Sequence, residues 1–508
     1  MLSEYNMSNR GSSRSLFGNV DMVALSIYLG IAICGLLCIT SASFDPDSAN
    51  IFSLKHNYIK QLMWITISWT MATVVLLLDR RLFHAFAIPA YCLGILSLVA
   101  VLAFGTEING AKAWFEVGSI RIQPVEFVKI ATALMMARVM SDYSFNINRL
   151  VDLVKVALIV CIPFLIIVLQ NDTGSGLVLG AFLFVLYREG LSKYVYFPIL
   201  FTIFLFVAAM MFSKVVIFTV LLIIFVLFSA VRVREFKGHI RFLTAVFLVA
   251  LLLAVLTPLS GYAALMIACG ISALGLAVVA LKTRTMMLLW PILMFIYAMV
   301  FVPTTDFLFS KLEPHQQNRI LTFVGLVDDP KNTGYNVNQS KIAIGSGGMW
   351  GKGFMDGTQI QYDYVPEKHT DFIFCIVGEE WGFVGCFVVV ALYIGLMLRL
   401  MRMGERIKEP FGRIYCYSVA AIILIHVMVN MGMTIGLMPV MGIPLPLMSY
   451  GGSSFVAFTL LITAVRNPVI LKKAENTLTE ALRSARSAGM TKEEAMEMVQ
   501  KLYEEEMK

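Results

Sequence analysis

What most constrains this chain is the recurrence of apolar runs about 20 residues long, from one that starts near Val20 to one that ends near residue 466. About twenty helical residues cross a hydrocarbon core of about 30 Å, and in lipid only a helix or a closed barrel satisfies its own backbone. Fourteen segments read as helices: 20–41, 60–78, 82–104, 123–141, 152–169, 174–187, 194–212, 215–231, 241–257, 259–281, 286–303, 372–398, 414–437 and 444–466. The expectation is an all-α polytopic membrane protein. Composition agrees, with 58% hydrophobic residues, 14% charged and a mean hydropathy of +0.79. The first eighteen residues are polar, and no signal-peptide cleavage pattern follows the first run, which reads as a retained helix. All eight cysteines fall in apolar segments, without the paired spacing of a disulfide framework or a zinc site, so packing is their expected job.

A net charge of +7 raises the question of a polyanionic partner, but the Lys and Arg residues sit in short clusters between apolar runs and report orientation instead. No nucleic acid is expected. An even number of spans puts both termini on one side. With that side cytoplasmic, the inside loops hold Arg80 and Arg81, Arg149, Arg188 and Lys193, Arg232 to Arg241, Lys282 and Arg284, then Arg399 to Arg413. The same parity puts the loops around Trp114, Asp172 and 304–371 outside. The segment 194–231 is punctuated only by Ser213 and Lys214. The chain thus divides into a cytoplasmic tail 1–19, membrane segments 20–190 and 191–303, a large outer loop 304–371, membrane segments 372–468 and a cytoplasmic amphipathic tail 469–508 broken at Gly489. The tail's plainer reading is a solvated or membrane-resting helix, with a partner contact second.

The polar loop between Thr304 and Thr370 is where chemistry is expected. Its GSGGMWGKGF run (Gly345 to Phe354) is not a Walker A motif, because Ser346 stands where Gly is needed and Gly353 follows Lys352 in place of Ser or Thr. It reads either as flexible turns or as a cradle of backbone N–H groups for an anion. The loop closes with YVPEKHTDFIF, where Asp371 follows Asp363, Glu367, Lys368, His369 and Thr370, with Arg319 and Lys341 elsewhere in the loop. A carboxylate half sunk at a membrane edge can be tuned as a general base, and N-capping by Thr370 or Asp371 is the plainer alternative. Glu379 and Glu380 follow about 12–14 Å along the same helix, placed to line a cavity or pair with a cation such as Lys129. Glu126 and Lys129 share a face of the fourth helix, as a functional pair or as an ion pair that joins helices. Asp172, in QNDTGSG, is read first as a helix cap.

These residues carry a resemblance. GAKAWFEVGSIRIQPVEFVKI (Gly110 to Ile130), QNDTGSGLVL, Arg319-Ile320 followed by GYNVNQSKIAIGSGGMWGKGF, YVPEKHTDFIFCIVGEEWGFVG and MPVMGIPLPLMSYGGSS (Met438 to Ser454) are similar to the SEDS family of bacterial shape, elongation, division and sporulation proteins. The likeness covers about 20–190 and 310–468. GKGFMDGTQ and GIPLPL resemble the elongation branch more than the division branch, where Lys is usual in place of Met441.

The resemblance implies a ten-helix core, so that 191–303 carries about four inserted helices. It further implies a peptidoglycan glycosyltransferase that polymerises lipid II, the undecaprenyl-diphosphate-linked disaccharide, outside the membrane, with a class B penicillin-binding protein and other elongation proteins as partners. By motif, Asp371 matches the essential loop aspartate, Trp114 the tryptophan of the GAxxW motif, and Glu126 and Lys129 the charged pair of that region. Asp371 would deprotonate the acceptor 4-hydroxyl for one inverting displacement at the donor's anomeric carbon. Arg319, Lys341, Lys352, His369 or a divalent cation such as Mg2+ or Mn2+ would balance the departing diphosphate. Trp114 would stack on sugar or contact the lipid chain, against the plainer role of interfacial anchor. Asp172, Asp363, Glu367, Thr370 and Glu379 complete the candidate substrate-binding set. Ala113 replaces an Arg common in relatives, which leaves Lys112 as the substitute cation. Two other readings stand beside this one: a lipid II flippase lined by intramembrane Glu126, Lys129, Glu379 and Glu380, and a scaffold that acts through its cytoplasmic tail.

Overall fold

The computed structural model describes residues 21–43, 56–78, 80–108, 110–118, 120–232, 261–283, 289–326, 333–465, 481–482, 484–487 and 489–506. Helices fall on thirteen of the fourteen expected segments, and 241–257 lies outside the described residues. Eight described helices are long and apolar enough to cross a membrane. The chain is a multi-pass helical membrane protein.

The chain divides into two compact units. The first comprises 1–189, 339–435 and 441–508. Its helices are α1 (Met22–Ser43), α2 (Asn57–Leu77), α3 (Arg80–Phe104), α4 (Pro124–Met140), α5 (Leu150–Leu169), α6 (Thr173–Leu179) and α7 (Ala181–Arg188). The second unit comprises 190–338 and 436–440 and holds α8 (Tyr196–Met211), α9 (Lys214–Arg232), α10 (Gly261–Thr283), α11 (Leu289–Ser310) and α12 (Pro314–Val324). The chain then forms α13 (Thr333–Ser346), α14 (Thr358–Gln361), α15 (Ile373–Arg406), α16 (Pro410–Thr434), α17 (Gly452–Thr463) and α18 (Lys492–Glu506). In the second unit α8 to α11 pack around Leu205, Phe218, Leu222, Cys269, Phe295 and Val302.

Two contacts define how α1 and α15 pair. Arg399 donates from Nε and Nη2 to the Asp21 carboxylate at 2.9 and 2.6 Å, and Ser41 donates to Oε1 of Glu380. Twenty residues separate the two anchors on α1 and nineteen on α15, so the helices run antiparallel over about 30 Å, the thickness of the hydrocarbon core. The Asp21 end also holds the Arg413–Glu189 pair at 2.8 Å. The Glu380 end is where the polar groups gather.

Four local expectations change. The chain is not purely α: Thr106–Ile108, Ala111–Val117 and Ile120–Ile122 form a three-stranded antiparallel sheet, β1 to β3, with Trp114 opposite Thr106 and Phe115 opposite Ile122. Its turns use Gly110 (φ 82°) and Gly118 (φ 63°), and a 111–117 strand that alternates side chains fits a two-residue period. The segment 174–187 is two short helices that meet at Gly180. The polar region 304–371 is not an irregular loop, since α11 runs on to Ser310 and α12, α13 and α14 follow. Lastly, 444–451 is not helical: Pro444 and Pro446 remove donors and push their predecessors out of helical geometry, and Leu447 is left-handed (φ 63°).

Candidate functional site

The non-helical stretch Met441 to Ser453 is the hub of the first unit. Irregular backbone at membrane depth survives only where protein groups satisfy it, and here they do. Carbonyls of Ile443, Pro444 and Pro446 accept from Asn430 Nδ2 (2.7 Å), His426 Nδ1 (3.0 Å) and Tyr393 Oη (2.6 Å). The amide of Leu445 donates to Ser449 Oγ at 2.8 Å. Bare glycines bring neighbours close. A Cβ on Gly35 would lie 2.6 Å from Met448 Cα, and one on Gly174 would lie 2.2 Å from the Met441 carbonyl oxygen.

Asp371 is docked on this hub. Its carbonyl accepts from Asn430 Nδ2 at 2.8 Å, the Thr370 carbonyl from Ser449 Oγ at 2.6 Å, and the His369 carbonyl from the Tyr450 amide at 2.8 Å. Its half-buried carboxylate runs beside Gly442, where an added Cβ would sit 3.6 Å from Asp371 Oδ2. Neither Thr370 nor Asp371 caps the next helix. The N-cap of α15 is Phe372, without a side-chain bond, and Thr370 Oγ1 instead donates to Glu367 Oε2 at 3.0 Å. Asp363 and Glu367 both hold left-handed backbone (φ 56° and 52°) that folds the chain back before Asp371. Lys368 is buried and pairs with Asp363 at 2.5 Å. Burial, and then the Lys368 ammonium, press the His369 imidazole below its ordinary 6.5, so it is neutral at pH 7 rather than a cation.

Asp172 is the N-cap of α6: the Ser175 amide donates to Oδ1 at 3.0 Å, and Gln123 Nε2 donates to Oδ2 at 3.0 Å. Through Gly174 this helix start rests on Met441, so Asp172 and Asp371 meet the same three-residue stretch. The sheet reaches it too. The Lys112 amide donates to the Gln170 carbonyl at 2.9 Å and its Nζ to the Ala103 carbonyl at 3.2 Å, which places half-exposed Trp114 on the strand that borders this turn.

Glu126 and Lys129 are both 2% exposed, with Nζ 2.8 Å from Glu126 Oε2. Lys129 Nζ also lies 2.9 Å from His426 Nε2 and over the Phe458 ring. Since Pro444 O can only accept, Nδ1 of His426 carries the proton and Nε2 accepts from the ammonium. Through His426 the pair is linked to the Pro444 carbonyl of the hub.

Glu379 pairs with Lys352 (2.7 Å), not with Lys129. It also accepts from the amides of Gln359 (2.9 Å) and Ile360 (3.1 Å) at the start of α14. The glycine run is tied to α15 by backbone bonds. Amides of Lys352 and Gly353 donate to the carbonyls of Glu379 and Glu380, and those of Phe383 and Val384 to Gly348 and Met349. This ladder joins the run to a break in α15 at Gly382 (φ 64°, ψ −159°), and a Cβ on Gly347 would lie 1.9 Å from the Gly378 carbonyl oxygen. Lys341 is exposed on α13. Arg319 lies half-buried on α12 in the second unit. Among the described residues no three His, Cys, Asp or Glu side chains converge as metal ligands.

Sequence reading passed over Asn430, Ser449, His426 and Gly442. A signal was present: His426 and Asn430 are two polar residues one turn apart in an apolar run, and so share a face.

Residues 22–237 and 212–472 match the family model described as a cell cycle protein, FtsW/RodA/SpoVE. The chain is 30% identical to peptidoglycan glycosyltransferase RodA of Treponema pallidum, over 85% of this chain and 94% of that one. It is 32% identical to peptidoglycan glycosyltransferase MrdB of Escherichia coli K12, over 86% and 90%. Identity to a probable FtsW of Geobacter sulfurreducens is 25%, over 88% and 94%. Among solved structures, a chain from a peptidoglycan synthase complex that coordinates polymerization and crosslinking superposes with a TM-score of 0.53 at 24% identity, over 88% and 96%. Thermus thermophilus RodA gives 0.51 at 22%, over 88% and 96%. Both similarities concern the fold.

Proposed function

Because the chain belongs to the FtsW/RodA/SpoVE family of cell cycle proteins, we propose that it is the elongation-type peptidoglycan glycosyltransferase of its cell, polymerising lipid II with Asp371 as general base. Identity to RodA and MrdB exceeds that to FtsW, which favours elongation over division. The observation that carries the assignment of the base is the docking of this segment: the backbone carbonyls of His369, Thr370 and Asp371 are each held by one hub contact, and the Asp371 carboxylate lies beside Gly442.

In this reading the loop and hub face the extracytoplasmic side and both termini the cytoplasm. Asp371 takes the proton from the acceptor 4-hydroxyl as that oxygen attacks the donor's anomeric carbon. The C–O bond to the diphosphate breaks on the opposite face, inverting the centre, and the leaving group departs with the bond electrons. No nucleotide is consumed. Of the expected cations, Lys129, Lys352 and Lys368 are already paired with carboxylates. Lys112 and Lys341 are assigned to the diphosphate, and Trp114 to a sugar or polyprenyl face. A class B penicillin-binding protein is the proposed partner, in keeping with the synthase complex that shares the fold. Segments 191–303 and the tail 469–508 carry no step.

The test is polymerisation of lipid II by purified protein in detergent. Asp371→Asn is expected to cut the rate by about 10²–10⁴-fold, with an unchanged melting temperature. Full activity in that variant overturns the base, and lipid movement across vesicles without glycan product replaces polymerase with flippase. Depletion in cells is expected to round them. Filamentation would assign the division role.

A further inference from the structure

Asn430 is 0% exposed in the apolar helix α16, and both of its donated bonds leave from Nδ2: one to the Asp371 carbonyl at 2.8 Å, one to the Ile443 carbonyl at 2.7 Å. Its Oδ1 is buried with no hydrogen-bond partner. A buried amide with one half unsatisfied is costly, and packing alone would be served better by Leu. What the amide does is tie two backbones together: the residue that carries the proposed base and the residue next to Gly442, the glycine beside its carboxylate. Ser449 repeats the device one residue earlier, since its hydroxyl accepts from the Leu445 amide and donates to the Thr370 carbonyl.

We propose that Asn430 and Ser449 are positioning residues for glycosyl transfer, which pin Thr370 and Asp371 to the hub and so fix the Asp371 carboxylate beside Gly442 for the acceptor hydroxyl. The inference rests on the reading of Asp371 as the base. Neither side chain touches substrate. Both act through the backbone, and a displacement of about 1 Å at a reacting group costs about 100-fold in rate.

The experiment compares Asn430→Leu, which keeps volume and loses both bonds, and Ser449→Ala with a control, Ser340→Ala. Ser340 is equally buried on α13 and donates to the Thr434 carbonyl at 2.9 Å, one turn beyond Asn430, without a bond to the Thr370 or Asp371 carbonyl. Polymerisation is followed across pH, with the melting temperature measured on the same samples. The expected result is a fall in kcat of about 100-fold for Asn430→Leu and about 10-fold for Ser449→Ala, with KM within about twofold and the acid limb of the pH profile displaced. Ser340→Ala is expected to lose stability without either change. If Asn430→Leu does not fold, Ser449→Ala decides alone. Rates and pH profiles no different from Ser340→Ala, while Asp371→Asn is inactive, overturn the positioning role and leave the base standing. An active Asp371→Asn overturns both.

Discussion

Among the described residues, the first unit buries the ionisable Asp21, Glu126, Lys129, Asp152, Lys368, Glu379, Glu380 and His426, whereas the buried polar residues of the second are Ser272 and Thr305, neither of them ionisable. Taking a charge out of water is repaid only by a partner with good geometry: Arg399 pairs with Asp21, Lys129 with Glu126, Lys155 with Asp152, Asp363 with Lys368 and Lys352 with Glu379, while Ser41 donates to Glu380 and Lys129 to the neutral His426. The second unit rests on apolar packing, where lipid competes on equal terms and fit supplies the preference. One unit is built to hold particular groups in particular places, the other to fill space. The proposed chemistry lies where the geometry is over-determined.

The sharpest way to break this comparison is to remove one partner of a buried pair. Lys129→Met leaves Glu126 without its cation and His426 without its donor, and is expected to cost about 3–5 kcal/mol of stability, measured by thermal unfolding in detergent. The double variant Glu126→Gln with Lys129→Met is expected to recover most of it. A single variant as stable as the parent would show that the charges are not structural. In the second unit, Leu205→Ala opens a cavity in a fully buried site. Because the reference solvent is lipid, the expected loss is about 1–2 kcal/mol, with polymerisation per folded molecule unchanged. A lost activity there would erase the division of labour.

Lys352→Ala is expected to cost less than either. Glu379 keeps its two amide donors, so the expected cost is about 1 kcal/mol, together with faster amide exchange at 352–360. The smallest effect concerns pH. His369 is held below 6.5 by burial and by Lys368, so the folded state resists a proton that the unfolded chain accepts. Its contribution is complete above pH 6.5 and is lost as pH falls through the lower folded value. His369→Gln is expected to flatten the fall in melting temperature between pH 7 and 5 by about one or two degrees. An identical slope in both proteins would show that His369 is not the titrating group.

Much of the fold and part of the site can be read from residues alone. Apolar run length reports helices because the bilayer imposes one length on all of them, and Asp371, Asp172, Glu126 and Lys129 stand out because ionisable groups near lipid are rare. Pairing was harder. Glu379 and Lys129 are both buried and of opposite sign, yet their partners turned out to be Lys352 and Glu126, since the break at Gly382 and the glycine ladder bring Lys352 to Glu379. The run GIPLPLMSYGG reads as one more apolar helix until its two prolines are weighed, and the alternating strand at Trp114 is too short to compete with the helical signal around it.

The amino-acid sequence by itself determined that this protein lives in a membrane, where most of its long apolar helices run, and which few ionisable residues are candidates for chemistry, because those properties depend on local composition and on the fixed thickness of the bilayer. Only the tertiary structure decided that Asn430 and Ser449 hold the backbone at Asp371, that Gly442 lies beside its carboxylate, and that the glycine run pairs with a broken helix. Hydrogen bonds between residues 59 or 79 positions apart leave no periodicity to read. They exist once the helices have packed and each buried carbonyl must find a donor within reach.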